Sequence, residues 1–301
     1  MHMLPHEDEI RSQFPGLKRL SGNQEAIFLD GPAGSQVPQT VANAVSNYML
    51  HTNANGGGFF ATSQESDALM DDCQEVAAAL FGASDPCEMV FGPNMTSLTN
   101  KISRLLKTQW QSGDEIILSS SEHDANYTPW VKAAESRGVE IKTIPLNTED
   151  CTLDQEAYRA LLSPKTKLVA VGLASNASGT IHPIRQMADA AHQVGAKFYV
   201  DAVHYAPHGL LDVEALGCDF LVASAYKFFG PHVGILWGKR EHLEALPSEK
   251  LRPCDSSLPW SMMSGTPNLE GIAGTKAAIE YIAGLSQLPE TVSLRERIKA
   301  S

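Results

Sequence analysis

Two short apolar runs in the second half of the chain each end in residues able to do chemistry. Phe198-Tyr199-Val200 leads into Asp201 and His204, and FLVASAYK, residues 220–227, ends in Ser224 and, three residues on, Lys227. In an open α/β sheet, ligands bind outside the carboxyl ends of the strands. A carboxylate and an amine delivered there together suit pyridoxal phosphate, which takes a lysine Schiff base and an acidic partner on its pyridinium nitrogen. Each residue alone has a plainer reading. A lysine between Tyr226 and Phe228, ahead of Gly230-Pro231, is commonly a snorkelling surface side chain, and an aspartate at a strand end is commonly a cap or turn former. Their joint placement carries the cofactor expectation.

Other polar groups fall at other predicted strand ends. His123, in SSSEHDANYTPW after the run EIIL, could stack on an aromatic cofactor and move protons near neutral pH. A loop histidine bonded to backbone explains it equally well. Asn176, in LASNASGTIHP, adds a polar group to the same edge. Thr96 and Ser97 open a helix after Phe91-Gly92-Pro93, where backbone amides and two hydroxyls make a phosphate site without a basic residue, or simply cap the helix. Gly56-x-Gly58-x-x-Ala61 satisfies a relaxed dinucleotide fingerprint and raises an oxidoreductase alternative. That fingerprint needs a strand before it, whereas VANAVSNYML at 41–50 has a helical pattern.

The elements that must position these groups alternate along the chain. Thr62 with Glu65 three residues on reads as a capping box for an amphipathic helix over 63–81, and Asn94 as the N-cap of the next. Strands are predicted at Glu115–Leu118, Lys167–Leu173, Phe198–Val200, Phe220–Ala223 and Val233–Trp237. Helical segments fall near 125–137, 153–162 and 184–194. Alternation of this kind predicts an α/β fold with a mostly parallel sheet covered on both faces. Further helices are predicted over 267–284 and 291–300, the second with nothing for its apolar side to pack on.

The 301 residues are 43% hydrophobic with a formal charge of −12, and no Lys/Arg run offsets it. Nucleic acid is therefore not an expected partner. No apolar run approaches the ~18 residues of a membrane span, and the N-terminus lacks the pattern of a secretory signal. Five scattered cysteines without a C-x-x-C pair argue against a disulfide framework or a zinc site and fit a reducing cytoplasm.

Taken together, FLDGPAGSQVP, VDAVHYAPHG, GCDFLVASAYKFFGPHVGILWG and SGTPNLEGIAGTKAAIEYI resemble the class V aminotransferase family of fold-type I pyridoxal-phosphate enzymes. The resemblance is nearest to the cysteine desulfurase/selenocysteine lyase branch and extends over essentially the whole sequence. It implies a fold-type I large domain over 26–285, built on a mostly parallel seven-stranded sheet flanked by helices. Residues 1–25 would belong to an incomplete small domain, and 286–301 would begin a linker helix to a C-terminal domain.

The resemblance further implies catalytic roles for Lys227, His123 and Asp201. Lys227 would form the Schiff base and move the substrate α-proton, Asp201 would keep the pyridinium nitrogen protonated, and His123 would stack on the ring. Asn176 and His204 would contact the phenolic oxygen; Thr96, Ser97, Ser224 and Tyr226 would hold the phosphate. Thr266 would reach the phosphate of a neighbouring subunit, which implies a homodimer acting on an amino-acid substrate. The chain departs from the family's pattern at His204, commonly glutamine, at Tyr226, commonly histidine, and in the loop Asn55–Phe60. Neither the persulfide-forming cysteine nor the arginine that grips the substrate carboxylate is identifiable. Sulfur removal from cysteine, transamination and epimerisation all remain open, as does a non-catalytic protein that only binds the cofactor.

Overall fold

The computed structural model describes residues 5–301; residues 1–4, the start of the segment assigned to the small domain, lie outside the described residues. A seven-stranded sheet organises the chain. Its strands are β3 (Met89–Gly92), β4 (Glu115–Ser119), β5 (Glu140–Ile144), β6 (Thr166–Gly172), β7 (Lys197–Asp201), β8 (Phe220–Ser224) and β9 (Gly234–Gly238), in spatial order 3-9-8-7-6-4-5. A two-stranded hairpin of β1 (Leu20–Ser21) and β2 (Gln24–Glu25) precedes it. β5, β4, β6, β7 and β8 run parallel, while β9 is antiparallel to both β8 and β3. β3 therefore runs in the same sense as β8, and the carboxyl ends of β3, β4, β6, β7 and β8 share one edge.

The helices are α1 (Glu7–Ser12), α2 (Gln39–Asn47), α3 (Ala61–Phe81), α4 (Met95–Leu106), α5 (Thr128–Glu135), α6 (Gln155–Leu161), α7 (Ile184–Gln193), α8 (Val213–Leu216), α9 (Arg240–Glu244), α10 (Leu269–Gly284) and α11 (Leu294–Ala300). Strands β6 to β9 are almost wholly buried, as continuous apolar runs in a doubly covered sheet require. Trp130 and Tyr199, both fully buried, pack edge to face at 4.9 Å between centroids. Each such side chain contributes roughly 1.5–3 kcal/mol through burial. Their polar atoms are satisfied: Trp130 Nε1 donates to Asn126 Oδ1 at 2.9 Å, and the Tyr199 hydroxyl lies 2.8 Å from Thr99 Oγ1. Among the described residues no helix is long and apolar enough to cross a membrane.

Several expectations change. β3 and β5 are two strands beyond the five that hydropathy picked out. Thr62 does not cap α3, which begins at Ala61 with Phe60 at the cap position. The loop before it folds back onto the helix instead: Gly57 N donates to Asp67, Gly58 N to Ser63 Oγ, and Ser63 Oγ to Asn55 O. Residues 41–50 are helical, running through α2 into a π-helical turn over Tyr48–Thr52, so no strand precedes the glycines of the dinucleotide fingerprint. The final helix is not left uncovered. Ile298 is buried, and Arg295 donates to Ala79 O and Leu80 O at 3.1 Å each and to Asp212 at 3.1 Å, which ties α11 to the end of α3. Exposed apolar side chains lie elsewhere, at Ile27, Leu29 and Phe59.

Candidate active site

The shared strand edge opens into a cleft. β7 brings Asp201 and the following His204, the turn after β8 brings Tyr226 and Lys227, and the turn after β4 brings His123. The hairpin after β6 brings Asn176, and the first turn of α4 brings Thr96; all seven line this cleft.

Asp201 is buried, and its Oδ1 accepts from Val203 N at 2.9 Å. The other carboxylate oxygen has no protein partner and keeps contact with the open space. Burial pushes the Asp201 carboxyl up to about 6; the Val203 hydrogen bond and the charges of His123 and Lys227 oppose that rise. Burial pulls the Lys227 amine below the usual lysine range, and Asp30 and Asp201 draw it partly back. Its Nζ donates to Pro32 O and lies 4.9 Å from the centre of the Tyr226 ring.

The lysine turn is held from outside the sheet. Ser35 N and Oγ both donate to Tyr226 O, at 3.0 and 3.1 Å, and Phe229 N donates to Ser35 Oγ at 2.7 Å. Gly34 lets this segment approach: at φ +150°, a Cβ there would meet the Tyr226 ring at 3.3 Å. Tyr226 in turn stacks on His232, centroids 4.9 Å apart and planes within 16°.

His123 caps the short turn Asp124–Asn126, its Nδ1 accepting from Ala125 N at 3.1 Å. That hydrogen bond assigns the proton to Nε2 when the ring is neutral. Burial lowers the His204 imidazole, and the nearby His208 and Lys227 lower it further; the two histidine rings stand 5.2 Å apart, edge to face.

At the other end of the cleft, α4 starts where Asn94 Oδ1 accepts from Ser97 N at 2.8 Å, so Asn94 is the cap that its position predicted. Close approach makes this possible. A Cβ on Gly234 would lie 2.4 Å from the Asn94 carbonyl carbon, a backbone atom that cannot yield. Met95 N donates to Ser224 Oγ at 3.0 Å.

Three expected ligands do not line the cleft. Ser224 is fully buried beneath the first turn of α4, whereas Ser97 and Thr266 face a second cavity with Lys101 and His232. Residues that sequence reasoning passed over do line it, notably Ser121, Glu122 and His182. Glu122 immediately precedes His123, and its only sequence signal was the i,i+4 spacing to Asn126. Burial pushes its carboxyl up to about 7 against hydrogen bonds from Ser119, Asn126 and Gly172, with the Asp201 charge adding to the rise.

Comparison with known proteins bears on this arrangement. The profile of the aminotransferase class-V family matches residues 27–292. The chain belongs to that family. It is 32% identical over 293 residues to a cysteine desulfurase of Dickeya dadantii, covering 92% of this chain and 71% of that protein. With a cysteine desulfurase of Klebsiella pneumoniae it shares 35% identity over 304 residues, covering 94% and 74%. The apo cysteine desulfurase of Thermococcus onnurineus superposes with a TM-score of 0.86 at 26% identity over all of this chain and 73% of that one. The Escherichia coli cysteine desulfurase CsdA gives 0.80 at 29% identity over 96% and 73%. This member of the class-V family is thus cysteine desulfurase-like over nearly its whole length, with the fold-type I architecture of those structures.

Proposed function

We propose that the cleft binds pyridoxal 5′-phosphate and that the protein uses it to remove sulfur from an amino acid, cysteine being the substrate its relatives are named for. The single observation behind this reading is the pairing in one cleft of a primary amine, Lys227, with a buried carboxylate, Asp201, that keeps one oxygen unengaged. The donor set fits the cofactor. Asp201 matches a protonated ring nitrogen, and Lys227 has an amine held only by a backbone carbonyl. His123 offers a ring for stacking, and Asn176 and His204 offer polar groups for the ring hydroxyl.

Bound there, the cofactor supplies an electron sink for a bond broken at the amino-acid carbon. Asp201, ionised, holds a proton at the ring nitrogen. Lys227, its amine made less basic by burial, takes and returns a proton at the substrate carbon. His123 carries its exchangeable proton on Nε2. Thr96, the Tyr226 hydroxyl and the turn of α4 above Ser224 hold the phosphate. Ser224 acts by fixing Met95 N–H, with its own hydroxyl hydrogen left to donate.

A homodimer belongs to the same proposal, with Thr266 in the second cavity serving the neighbouring subunit's phosphate. So does a reducing cytoplasm, for which the five free cysteines speak.

The test is to load the protein with pyridoxal phosphate and offer single amino acids. Sulfide release from L-cysteine, abolished in Lys227→Ala, is the expected result. Keto-acid formation from other amino acids without sulfide would move the assignment to amino-group transfer. Absence of any product or spectral change with every amino acid would overturn an enzymatic role.

A further inference from the structure

The wall of the cleft contains a hydrogen-bonded chain that the chemistry above does not use. Ser119 Oγ, at the end of β4, donates to Glu122 Oε1 and lies 3.1 Å from Ser121 Oγ, which lies 3.1 Å from His182 Nε2. The hairpin after β6 sets His182 in place through His182 N to Leu173 O at 2.9 Å. Gly172 N also donates to Glu122 Oε1, at 2.9 Å, and Asn126 Nδ2 donates to Oε2 at 2.6 Å. Both of those partners are donors only, because Asn126 Oδ1 is occupied by Trp130 Nε1. Of Glu122's three partners only the Ser119 hydroxyl can also accept, so a proton on Oε1 points to Ser119.

We propose that Ser119 and Ser121 join Glu122 to His182 as a wire that holds one proton in the cleft wall beside Asp201. The hydroxyls permit both directions. With the proton on His182, Nε2–H donates to Ser121, Ser121 to Ser119, and Ser119 to the Glu122 carboxylate. With the proton on Glu122, each hydroxyl turns, and Ser121 donates to an unprotonated Nε2 while Nδ1 carries the imidazole hydrogen. Along the wire each hydroxyl gives one hydrogen and receives one, no bond other than O–H and N–H changes, and the net charge of the wire is the same in both states. His182 Nδ1 has no protein partner and is not sealed from the cleft, so this end can exchange with what the cleft holds.

Burial raises the Glu122 carboxyl to about 7 and lowers the buried His182 imidazole, which brings the two ends toward a common range. The titratable groups facing this wall are Asp201 on β7, His204 after it, Tyr226 and Lys227 after β8, and His123 on Glu122's own turn. Two adjacent buried carboxylates resist joint ionisation. A proton kept in the wire leaves Asp201 as the charged one. The value of that to chemistry rests on the cofactor reading; the wire itself does not.

The experiment is a pH titration of the full chain, without cofactor, following the His182 imidazole and the Glu122 carboxyl carbon by NMR. Coupled sites lose protons in steps that belong to the pair. Both signals are therefore expected to move together through the same midpoints in the native protein. Ser121→Ala should uncouple them, moving the His182 midpoint by ~1 pH unit, the scale of coupling at which shared steps appear, and Ser121→Thr should restore the shared steps. Independent titration in the native protein, which needs no variant, would overturn the wire. So would an Ser121→Ala titration identical to the native one. Coupled titration in a protein that takes up no pyridoxal phosphate would uphold the wire and remove only the cofactor reading.

Discussion

Replacing Asp201 by asparagine should make the cofactor-free protein more stable and the loaded protein much slower. The carboxyl rises from an ordinary 3.8 to about 6, roughly two pH units, which at 1.36 kcal/mol per unit is an order-of-magnitude cost of about 3 kcal/mol. The sign follows from linkage. A carboxyl whose folded value exceeds its unfolded value binds protons more tightly when folded, so its ionisation opposes folding as pH rises from about 4 through 6. Below about pH 4 the native and Asp201→Asn chains should differ little. Above about pH 7 the variant should gain up to ~3 kcal/mol. Asparagine can still accept from Val203 N, so the turn survives. It cannot hold a proton on a ring nitrogen, and loss of a charge-assisted hydrogen bond worth roughly 1.5–3 kcal/mol should lower turnover about 10- to 100-fold while cofactor retention changes far less. Urea unfolding of cofactor-free protein at pH 5 and pH 8, beside steady-state rates after loading, reads both. A variant less stable than the native chain at pH 8, or one with undiminished turnover, would refute the reasoning.

Ser224→Ala should cost about 1–3 kcal/mol, because Met95 N–H loses its only side-chain acceptor in a buried place; chemical denaturation measures this. Gly234→Ala should displace the start of α4 and weaken phosphate binding, since the new methyl meets backbone at 2.4 Å; inorganic phosphate competition against the cofactor would show it. At the opposite edge of the sheet, Asp219 accepts from Lys239 Nζ at 2.6 Å, Phe198 N at 2.7 Å and His192 at 2.8 Å. Burial alone would raise this carboxyl, but those hydrogen bonds and one from His242 hold it well below the usual carboxylate range. Its contribution is complete above the unfolded value near ~3.9 and is lost as pH falls from there through the much lower folded value. Asp219→Asn should therefore cost about 3 kcal/mol at neutral pH, with the difference shrinking only well below ~3.9, as read by denaturation over that pH range.

Much of the fold was legible because burial on both faces leaves a plain mark. LVAVGLA in β6 and FLVAS in β8 are apolar on consecutive residues, and the polar groups that follow each run fall on one sheet edge. β3 and β5 left no such mark. MVFG is only four residues long and ends in the glycine of a Gly-Pro, and EIKTI is a half-exposed edge strand with lysine and threonine in it. Lys227, Asp201, His123, Asn176, His204, Tyr226 and Thr96 could be found because each follows a strand or opens a helix. Glu122 and His182 could not. Ser119 and Ser121 neighbour Glu122 in the chain, but Gly172 and His182 come to them only through the pairing of β4 with β6. Ser224 shows the converse: strand position placed it correctly, but the α4 amide above it takes its oxygen. The capping box at Thr62 failed because a nearby loop, Asn55–Phe60, competes for the same helix start.

Whether Lys227 carries the cofactor is the most direct question. Incubation with pyridoxal phosphate, reduction with borohydride and peptide mass analysis should place the added mass on Lys227 alone, with the label absent in Lys227→Ala and retained in Asp201→Asn. A label spread over surface lysines, or undiminished in Lys227→Ala, would contradict the account.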